Sequence, residues 1–451
     1  MRPVATVAEV RSADAAALEH VDQSVLVARA GTAVAVQALG MLGAGYGRRV
    51  VVVAGKGSNG GDGRVAAALL RRRGARVAVF DAASAPVRLP PCDLVIDAAY
   101  GTGFRGRYDA PEVPAGAMVL AVDVPSGVDG NTGSASGAPM VAGRTVTFAA
   151  LKPGLLQADG PRFAGEVVVA DIGVPVGRPA IGLVEDADVD LLVPRRTRDT
   201  NKWTTAVAVV AGSPGMEGAA ALAAGGASHA GAGMVRLGVP GAGAGPGPWP
   251  IEAVRLALPA EGWSGEVLKV LDRCRALVIG PGLGRAESTQ AEIRRLLARS
   301  PVPAVVDADA LHALGEAPRL GAVVLTPHDG EYAYLAKEAP GADRIAAARR
   351  LAERTGAVVL LKGSLTAVAA PGGQVLLAAA GSARLATAGT GDVLSGVIGA
   401  LLARGVPALE AAALAAHIHG RAAGLGRAEG MVAGDLPVLV STWLSGVMGG
   451  G

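Results

Sequence analysis

The stretch Gly389-Thr390-Gly391-Asp392 sets two glycines and a carboxylate directly ahead of an apolar helical pattern, Val393, Leu394, Val397, Ile398, Leu401 and Leu402. A Gly-x-Gly turn that opens a helix presents free backbone N–H groups at the positive end of the helix dipole, where a phosphate is held. A carboxylate at that place would repel a resting phosphate. It makes sense as a base taking the proton of a hydroxyl about to attack phosphorus. The plain alternative is a glycine turn with an Asp in the first helical turn.

A second group of such residues lies in the first half. Gly55-Lys56-Gly57-Ser58-Asn59-Gly60-Gly61-Asp62-Gly63 follows the apolar run Val50-Val51-Val52-Val53-Ala54 and leads into Val65, Leu69 and Leu70. Strand, glycine loop and helix in that order make a candidate phosphate or dinucleotide cradle, though Lys56 precedes the loop and so no Walker A sequence is present. Leu94-Val95-Ile96 ends on Asp97, with Gly101-Thr102-Gly103-Phe104-Arg105-Gly106-Arg107 beyond it, and Val119-Leu120-Ala121-Val122 ends on Asp123, with Ser126 close by. In a parallel sheet Asn59, Asp97, Asp123 and Ser126 gather at the carboxyl edge, and their oxygens together suit a hard cation. Singly, each Asp also reads as a turn or helix cap.

The elements that must hold these residues are short apolar runs, each emptying into a polar or glycine-rich loop. In the second half Val207-Ala208-Val209-Val210 leads to Gly212-Ser213, and Ala276-Leu277-Val278-Ile279 leads to Gly280-Pro281-Gly282-Leu283-Gly284. Ala304-Val305-Val306 leads to Asp307-Ala308-Asp309, Val323-Val324-Leu325 to Thr326-Pro327-His328, and Val358-Val359-Leu360-Leu361 to Lys362-Gly363-Ser364-Leu365-Thr366. An open α/β sheet around a nucleotide gives this alternation. A helix is expected over 9–44 with a soft point at Gly31, and an alanine-rich helix over 217–230. At 451 residues the chain exceeds the usual size of a single core. The polar stretch Arg195 to Lys202 puts a boundary within 180–200, giving domains over 1–190 and 191–451.

Composition excludes several classes. With 42 basic and 39 acidic residues, scattered rather than striped, no nucleic-acid partner is expected. Cys92 and Cys274 lie far apart with no ligand spacing, which fits a reducing cytoplasm. Glu9, Asp14 and Glu19 precede any apolar stretch, unlike a secretory leader, and apolar runs break before the roughly 18 residues that a membrane span needs. A cytoplasmic protein without membrane contact is expected.

Taken together, the motifs resemble the bifunctional NAD(P)H-hydrate (NAD(P)HX) repair enzymes, which join an NAD(P)H-hydrate epimerase to an ADP- or ATP-dependent NAD(P)H-hydrate dehydratase. Asn59 to Gly63, Asp97 with Gly101 to Arg107, and Asp123 to Gly127 match the first half of that family. Gly280 to Gly284, Asp307 to Ala310, Thr326 to Glu331, Lys362 to Thr366 and Gly389 to Asp392 match the second, in the family's order.

The resemblance implies an α/β chain, an N-terminal Rossmann-like three-layer domain plus a C-terminal ribokinase-like domain. It implies K+ on Asn59, Asp97 and Ser126, and NAD(P)HX held in the first domain by Ser58, Asn59, Gly60, Gly61, Asp62, the loop Gly101, Thr102, Gly103, Phe104, Arg105, Gly106 and Arg107, and Asp123. Arg105 or Arg107 would neutralise phosphates, and Asp123 would be the acid/base. In the second domain it implies ADP, with Mg2+, on Lys362, Gly363, Ser364, Leu365, Thr366 and Gly391. The hydrate would lie against Ala219, Gly282, His328 and Asp392, with Asp392 as general base, and a homo-oligomer is expected by analogy.

Three departures from the family stand out: Arg29 with Ala28 in the first helix, Trp203 where a glycine is usual, and Asp329 where a proline is usual. A ribokinase-like, vitamin-type kinase would use the same Gly-x-Gly-Asp but leaves the first domain unexplained. A non-catalytic ligand-binding scaffold would not need both sets of acidic loops.

Overall fold

The computed structural model describes residues 1–243, 247–315 and 320–449. Two compact units divide the chain, Pro3–Ala180 on the one hand and Ile181–Gly451 with Met1–Arg2 on the other. The division falls at Ala180/Ile181 rather than at 190/191. Ile181–Leu183 pairs in parallel with Val375–Ala378, and Val184, Val189 and Val193 join the core of the second half.

In the smaller unit six strands lie in the order Arg76–Asp81, Arg49–Ala54, Leu94–Ala98, Met118–Val122, Arg144–Phe148, Glu166–Ala170, every neighbouring pair parallel. Arg49–Ala54 and Met118–Val122 are near-continuous apolar runs because both faces are covered, while Arg144–Phe148 buries Thr145 and Thr147 among its apolar residues. Val50, Val52, Leu94 and Ile96 pack with the helices Gln23–Leu42 and Ser58–Arg72, while Val51, Val53, Val95 and Ala121 pack with Leu89, Tyr108 and Met140. Long helices thus build one outer layer and connecting segments the other. The sheet's switch point lies between Arg49–Ala54 and Leu94–Ala98, where Val53 stands opposite Asp97.

The helix expected over 9–44 is two helices. Val7–Leu18 opens with a Thr6–Glu9 capping box and ends at Glu19, and Gln23–Leu42 begins at Asp22, whose side chain accepts from the Ser24 N–H at 2.8 Å. The break therefore lies at residues 19–22. Gly31 sits buried in mid-helix, where a Cβ would stand 2.5 Å from Val65 Cβ. Against the expectation from run lengths, Gln23–Leu42 is long and apolar enough by composition to cross a membrane. It buries Leu26, Ala30, Val34, Ala38 and Leu42 in the domain core, the use to which its apolar residues are put here.

The sheet of the larger unit begins with Ile181–Leu183. It continues Val375–Ala378, Thr366–Ala369, Val358–Leu361, Val323–Leu325, Ala304–Val306, Ala276–Ile279, Ala206–Val210, Met234–Gly238 and Val254–Leu256. Thr366–Ala369 runs antiparallel to both its neighbours, a hairpin absent from the sequence expectation. The switch point lies between Ala206–Val210 and Ala276–Ile279, whose exits are tied by the Gly212 N–H donating to Pro281 O at 2.7 Å.

Helix Thr390–Ala403 crosses helix Glu217–His229 at glycine distance. A Cβ on Gly396 would meet Ala223 O at 2.0 Å, and one on Gly226 would meet Val393 O at 2.3 Å. The carbonyls cannot give way without moving a helix, so Gly396→Ala is expected to destabilise the second unit by about 1–3 kcal/mol or more. Chemical denaturation checks this, and an unchanged midpoint would mean that the crossing is looser than the structure has it.

Candidate active sites

At the switch point of the smaller unit lies a cavity of about 730 Å³. Of the residues expected there, Ser58, Asn59, Asp62, the segment 101–104 and Asp123 line it. Gly60, Gly61, Arg105, Gly106 and Arg107 do not. Gly60 is instead explained by packing, since a Cβ there would meet Gly55 O at 1.9 Å. Arg107 is already held by both carboxylate oxygens of Asp109, at 3.0 Å each, and the Arg105 guanidinium turns to Phe104 O at 2.8 Å. Neither arginine is aimed at the cavity as a phosphate partner. Lys56, on the loop between strand and helix, lines it instead.

Beneath the cavity Asp97 is fully buried. Its carboxylate accepts from Ser126 Oγ at 2.6 Å and from the Ser126 N–H at 2.9 Å. Burial pushes the Asp97 carboxyl up from the usual carboxylate range, against the pull of these hydrogen bonds. The Asn59 side chain is buried with neither its oxygen nor its nitrogen paired. A buried amide without a partner is costly. A Cβ on Gly101 would lie 3.4 Å from Asn59 Oδ1 and 3.1 Å from Asp123 Oδ2, so these groups converge.

Asp123 leaves its strand with φ at +68°, an uncommon conformation for a residue with a side chain. Its Oδ1 lies 2.7 Å from Lys152 Nζ, and Lys152 also donates to Thr147 Oγ1 at 2.7 Å and Phe148 O at 2.9 Å. Lys152 is fully buried. Sequence reasoning gave it no role, and the available signal was a lone cation inside an otherwise apolar segment. Burial first, then Asp123 and Asp14, push Asp62 up to about 8, so it holds its proton at neutral pH.

In the larger unit the strand exits bring the second group together. Asp307, buried at the end of Ala304–Val306, accepts from Lys362 Nζ at 2.9 Å and from Ser395 Oγ at 2.6 Å. Glu331 Oε2 lies 3.7 Å from the same Nζ. Despite burial, Lys362 and Ser395 hold Asp307 below its usual range; despite burial, Asp307 and Glu331 hold Lys362 above its own. Asp392, in the first turn of the helix opened by Gly389 at φ +92°, is pushed up to about 7 by burial and by Asp307, partly offset by Lys362. At this helix start the Thr390 and Asp392 N–H groups turn back to Thr387 and Gly389 carbonyls, and among the described residues the Gly391 N–H makes no such bond. A Cβ on Gly391 would stand 3.6 Å from Lys362 Nζ.

Ala219 and Gly282 meet as expected, a Cβ on Gly282 falling 2.9 Å from that of Ala219. Ala308, between Asp307 and Asp309, has φ at +50°, and Asp309 accepts from the Gly284 N–H at 2.9 Å. His328 is the N-cap of Asp329–Ala336, its Nδ1 accepting from the Gly330 N–H at 3.0 Å, with the ring otherwise exposed. Gly363 lies under the Arg344 guanidinium, and Thr366 starts a strand while donating to Gly363 O at 3.3 Å.

The structure gives the three departures partners of their own. Asp329 pairs with Arg344 at 2.8 Å, Arg29 donates to Ile172 O at 3.1 Å, and the Trp203 ring stacks under Arg273, 3.7 Å from its centroid. His419 is buried against the Thr390 backbone and pushed down to about 4 by burial, a neutral imidazole behind the glycine turn.

A doubly wound sheet with a site at its switch point, followed by a larger sheet with a Gly-x-Gly-Asp helix start, defines a two-domain α/β enzyme, Rossmann-like then ribokinase-like. A family profile described as NAD(P)H-hydrate dehydratase matches residues 207–444, and one described as YjeF-related protein N-terminus matches 23–88 and 80–154. The chain belongs to the family of bifunctional NAD(P)H-hydrate repair enzymes. Such an enzyme of Mycobacterium leprae is 39% identical over 99% of this chain and 98% of its own, and one of Moorella thermoacetica is 37% identical over 86% of each.

Among solved structures, an ADP/ATP-dependent NAD(P)H-hydrate dehydratase of Bacillus subtilis, co-crystallised with ATP/Mg2+, is 27% identical, with a TM-score of 0.51 over 59% of this chain and 98% of that one. A ribokinase-like superfamily protein of Enterococcus faecalis, 21% identical with a TM-score of 0.53 over 59% and 96% of the two chains, shares the fold of the second domain.

Proposed function

We propose that this chain repairs hydrated NADH and NADPH in the cytoplasm, interconverting the R and S hydrates in its first domain and dehydrating the S form in its second at the expense of ADP. The observation that carries the reading is Asp392, a carboxyl held near neutrality at a helix N-terminus beside Lys362. Asp392 takes the proton of the hydrate's hydroxyl, whose oxygen attacks the terminal phosphorus of ADP, and AMP leaves. The Gly391 N–H and Lys362 face the charge that develops on the transferring group. The ring nitrogen's lone pair then expels phosphate, and loss of a proton from the neighbouring carbon restores the dihydronicotinamide. The nucleotide lies along residues 362–366 as its magnesium complex, and the hydrate against Ala219 and Gly282.

In the first domain Asn59, Asp97 and Ser126 fit a potassium ion. The unpaired buried amide oxygen of Asn59 and the buried carboxylate of Asp97 are the reason, since a hard cation would satisfy both. Among the described residues no group of three or more His, Cys, Asp or Glu side chains forms an alternative metal site. When bound, the ion supplies a fixed positive charge beneath the cavity. Asp123, oriented by Lys152 and by the Thr102 N–H that donates to its Oδ2 at 3.3 Å, moves the proton while the carbon–oxygen bond of the hydrate breaks and re-forms. Asp123→Asn is expected to slow R/S exchange by about 10²-fold while hydrate binding survives; unchanged exchange, read by NMR, would remove Asp123 from that role.

Chromatography of the nucleotides tests the donor. With S hydrate and ADP, one AMP and one phosphate are expected per NAD(P)H formed. A requirement for ATP with ADP as product would overturn the donor assignment, and hydrate phosphorylated without elimination would favour a simple kinase.

A further inference from the structure

The cavity of the first domain holds more carboxyl groups than it can ionise. Asp62 comes from the first turns of helix Ser58–Arg72, Asp14 from helix Val7–Leu18, and Asp123 from the exit of strand Met118–Val122. One buried cation, Lys152, faces them, and it is committed to Asp123 at 2.7 Å. Asp62 is 6% exposed and makes no hydrogen bond or ion pair to another residue among the described ones, so its carboxyl is free to meet a ligand in the cavity. The remaining charged groups on the wall are Lys56, on the loop ahead of the same helix, and Asp81, at the end of strand Arg76–Asp81. Helix Gln23–Leu42 faces the cavity with uncharged residues only, among them Gln23, Leu26 and Ala30.

We propose that Asp62 is the proton donor of the epimerisation and works opposite Asp123, the two carboxyls splitting the acid and base roles. The proposal rests on the epimerase reading above. Asp62 gives its proton to the hydroxyl oxygen of the hydrate. The carbon–oxygen bond breaks, its electron pair leaves with oxygen as water, and the ring nitrogen's lone pair closes a cationic C=N bond. Water then adds from the other face, the nitrogen recovers its lone pair, and the surplus proton of the added water passes to Asp123. Return of that proton to Asp62 resets the site, and nothing is oxidised or reduced. Burial and the neighbouring carboxylates keep Asp62 protonated up to about 8, as a donor working at neutral pH requires.

The test is R/S exchange of the hydrate followed by NMR across a pH series in the full-length protein. In the wild type, exchange is expected to fall as pH rises above about 8, where Asp62 loses its proton. Asp62→Asn keeps the shape and hydrogen-bonding capacity of the neutral carboxyl but cannot donate its acidic proton. Exchange should drop by about 10²-fold and lose the high-pH fall. Asp14→Asn removes a charge that raises Asp62, so the fall should move to lower pH. If Asp62→Asn exchanges at the wild-type rate with the wild-type profile, the carboxyl is structural and the proposal fails, while the epimerase reading stands. If circular dichroism shows Asp62→Asn unfolded, the Asp14→Asn shift decides, and its absence overturns the proposal. No exchange in the wild type would overturn the epimerase reading itself.

Discussion

Asp392→Asn is expected to cut turnover of the S hydrate by about 10²–10⁴-fold, the usual worth of a positioned base, while a fluorescent adenine nucleotide still binds. The asparagine keeps the shape of the side chain in the first helical turn and removes only the ability to take a proton. The wild type should show the pH dependence of that base. Because Asp392 must be ionised to act and is pushed up to about 7, kcat/KM should rise with pH through that value and then level, and the variant should lack the rise. Stability moves the other way. Between the ordinary carboxylate range and about 7 the folded state holds a proton that the unfolded chain has lost, so stability falls as pH rises through that window. Above it Asp392→Asn should melt higher than the wild type, an exchange of stability for function. A variant that retains turnover would end the general-base assignment.

Lys362→Met should damage both fold and chemistry. Lys362, with 22% of its side chain exposed, is the cation that compensates the buried Asp307; leaving Asp307 unpaired costs at most about 3–5 kcal/mol, the range for a pair with both partners buried, because solvent reaches the lysine end. The sign follows from the two shifts. Asp307 is lowered, so its contribution is present above the ordinary carboxylate range and lost in acid as it protonates. Lys362 is raised, so its contribution is present below the ordinary lysine range and lost in alkali as it deprotonates. At neutral pH the pair stands at full strength, and a melting curve there should show the whole loss. Lys362 also pulls Asp392 downward, so any residual activity should have its acid limb displaced to higher pH. Turnover itself should fall by about 10²-fold or more, with the loss of a charge facing the transferring phosphoryl group. A variant with wild-type melting and activity would mean that Asp307 is neutral and the pair is not an ion pair.

The strands and their exits were legible in the sequence for a plain reason. A parallel strand covered on both faces must be apolar throughout, and a site at its carboxyl end must begin where the run stops. Leu94 to Ile96, Val119 to Val122 and Ala304 to Val306 obey that rule, and Asp97, Asp123 and Asp307 follow directly. Lys152 was not legible, because its partner Asp123 is distant in sequence and only the parallel pairing of Met118–Val122 with Arg144–Phe148 brings them together.

Arg107 misled in the opposite sense. A cation beside a glycine loop suggests phosphate, but Asp109 two residues on engages both of its donor edges. The break before Gln23–Leu42 carried a local signal, Asp22 as a cap. The hairpin of Thr366–Ala369 and Val375–Ala378 turns at Pro371, Gly372 and Gly373, residues that equally suit a loop, and its strands are too short for periodicity to speak.

The central claim is that one chain holds two working sites acting in sequence on one damaged cofactor. It is tested most directly by the near-ultraviolet absorbance of reduced nicotinamide after the purified protein, magnesium, potassium and ADP are added to a mixture of R and S NADHX. Recovery of all the hydrate is predicted, the R fraction draining through the first site into the second. Recovery that stalls at the S fraction, or none with either ADP or ATP, would contradict it.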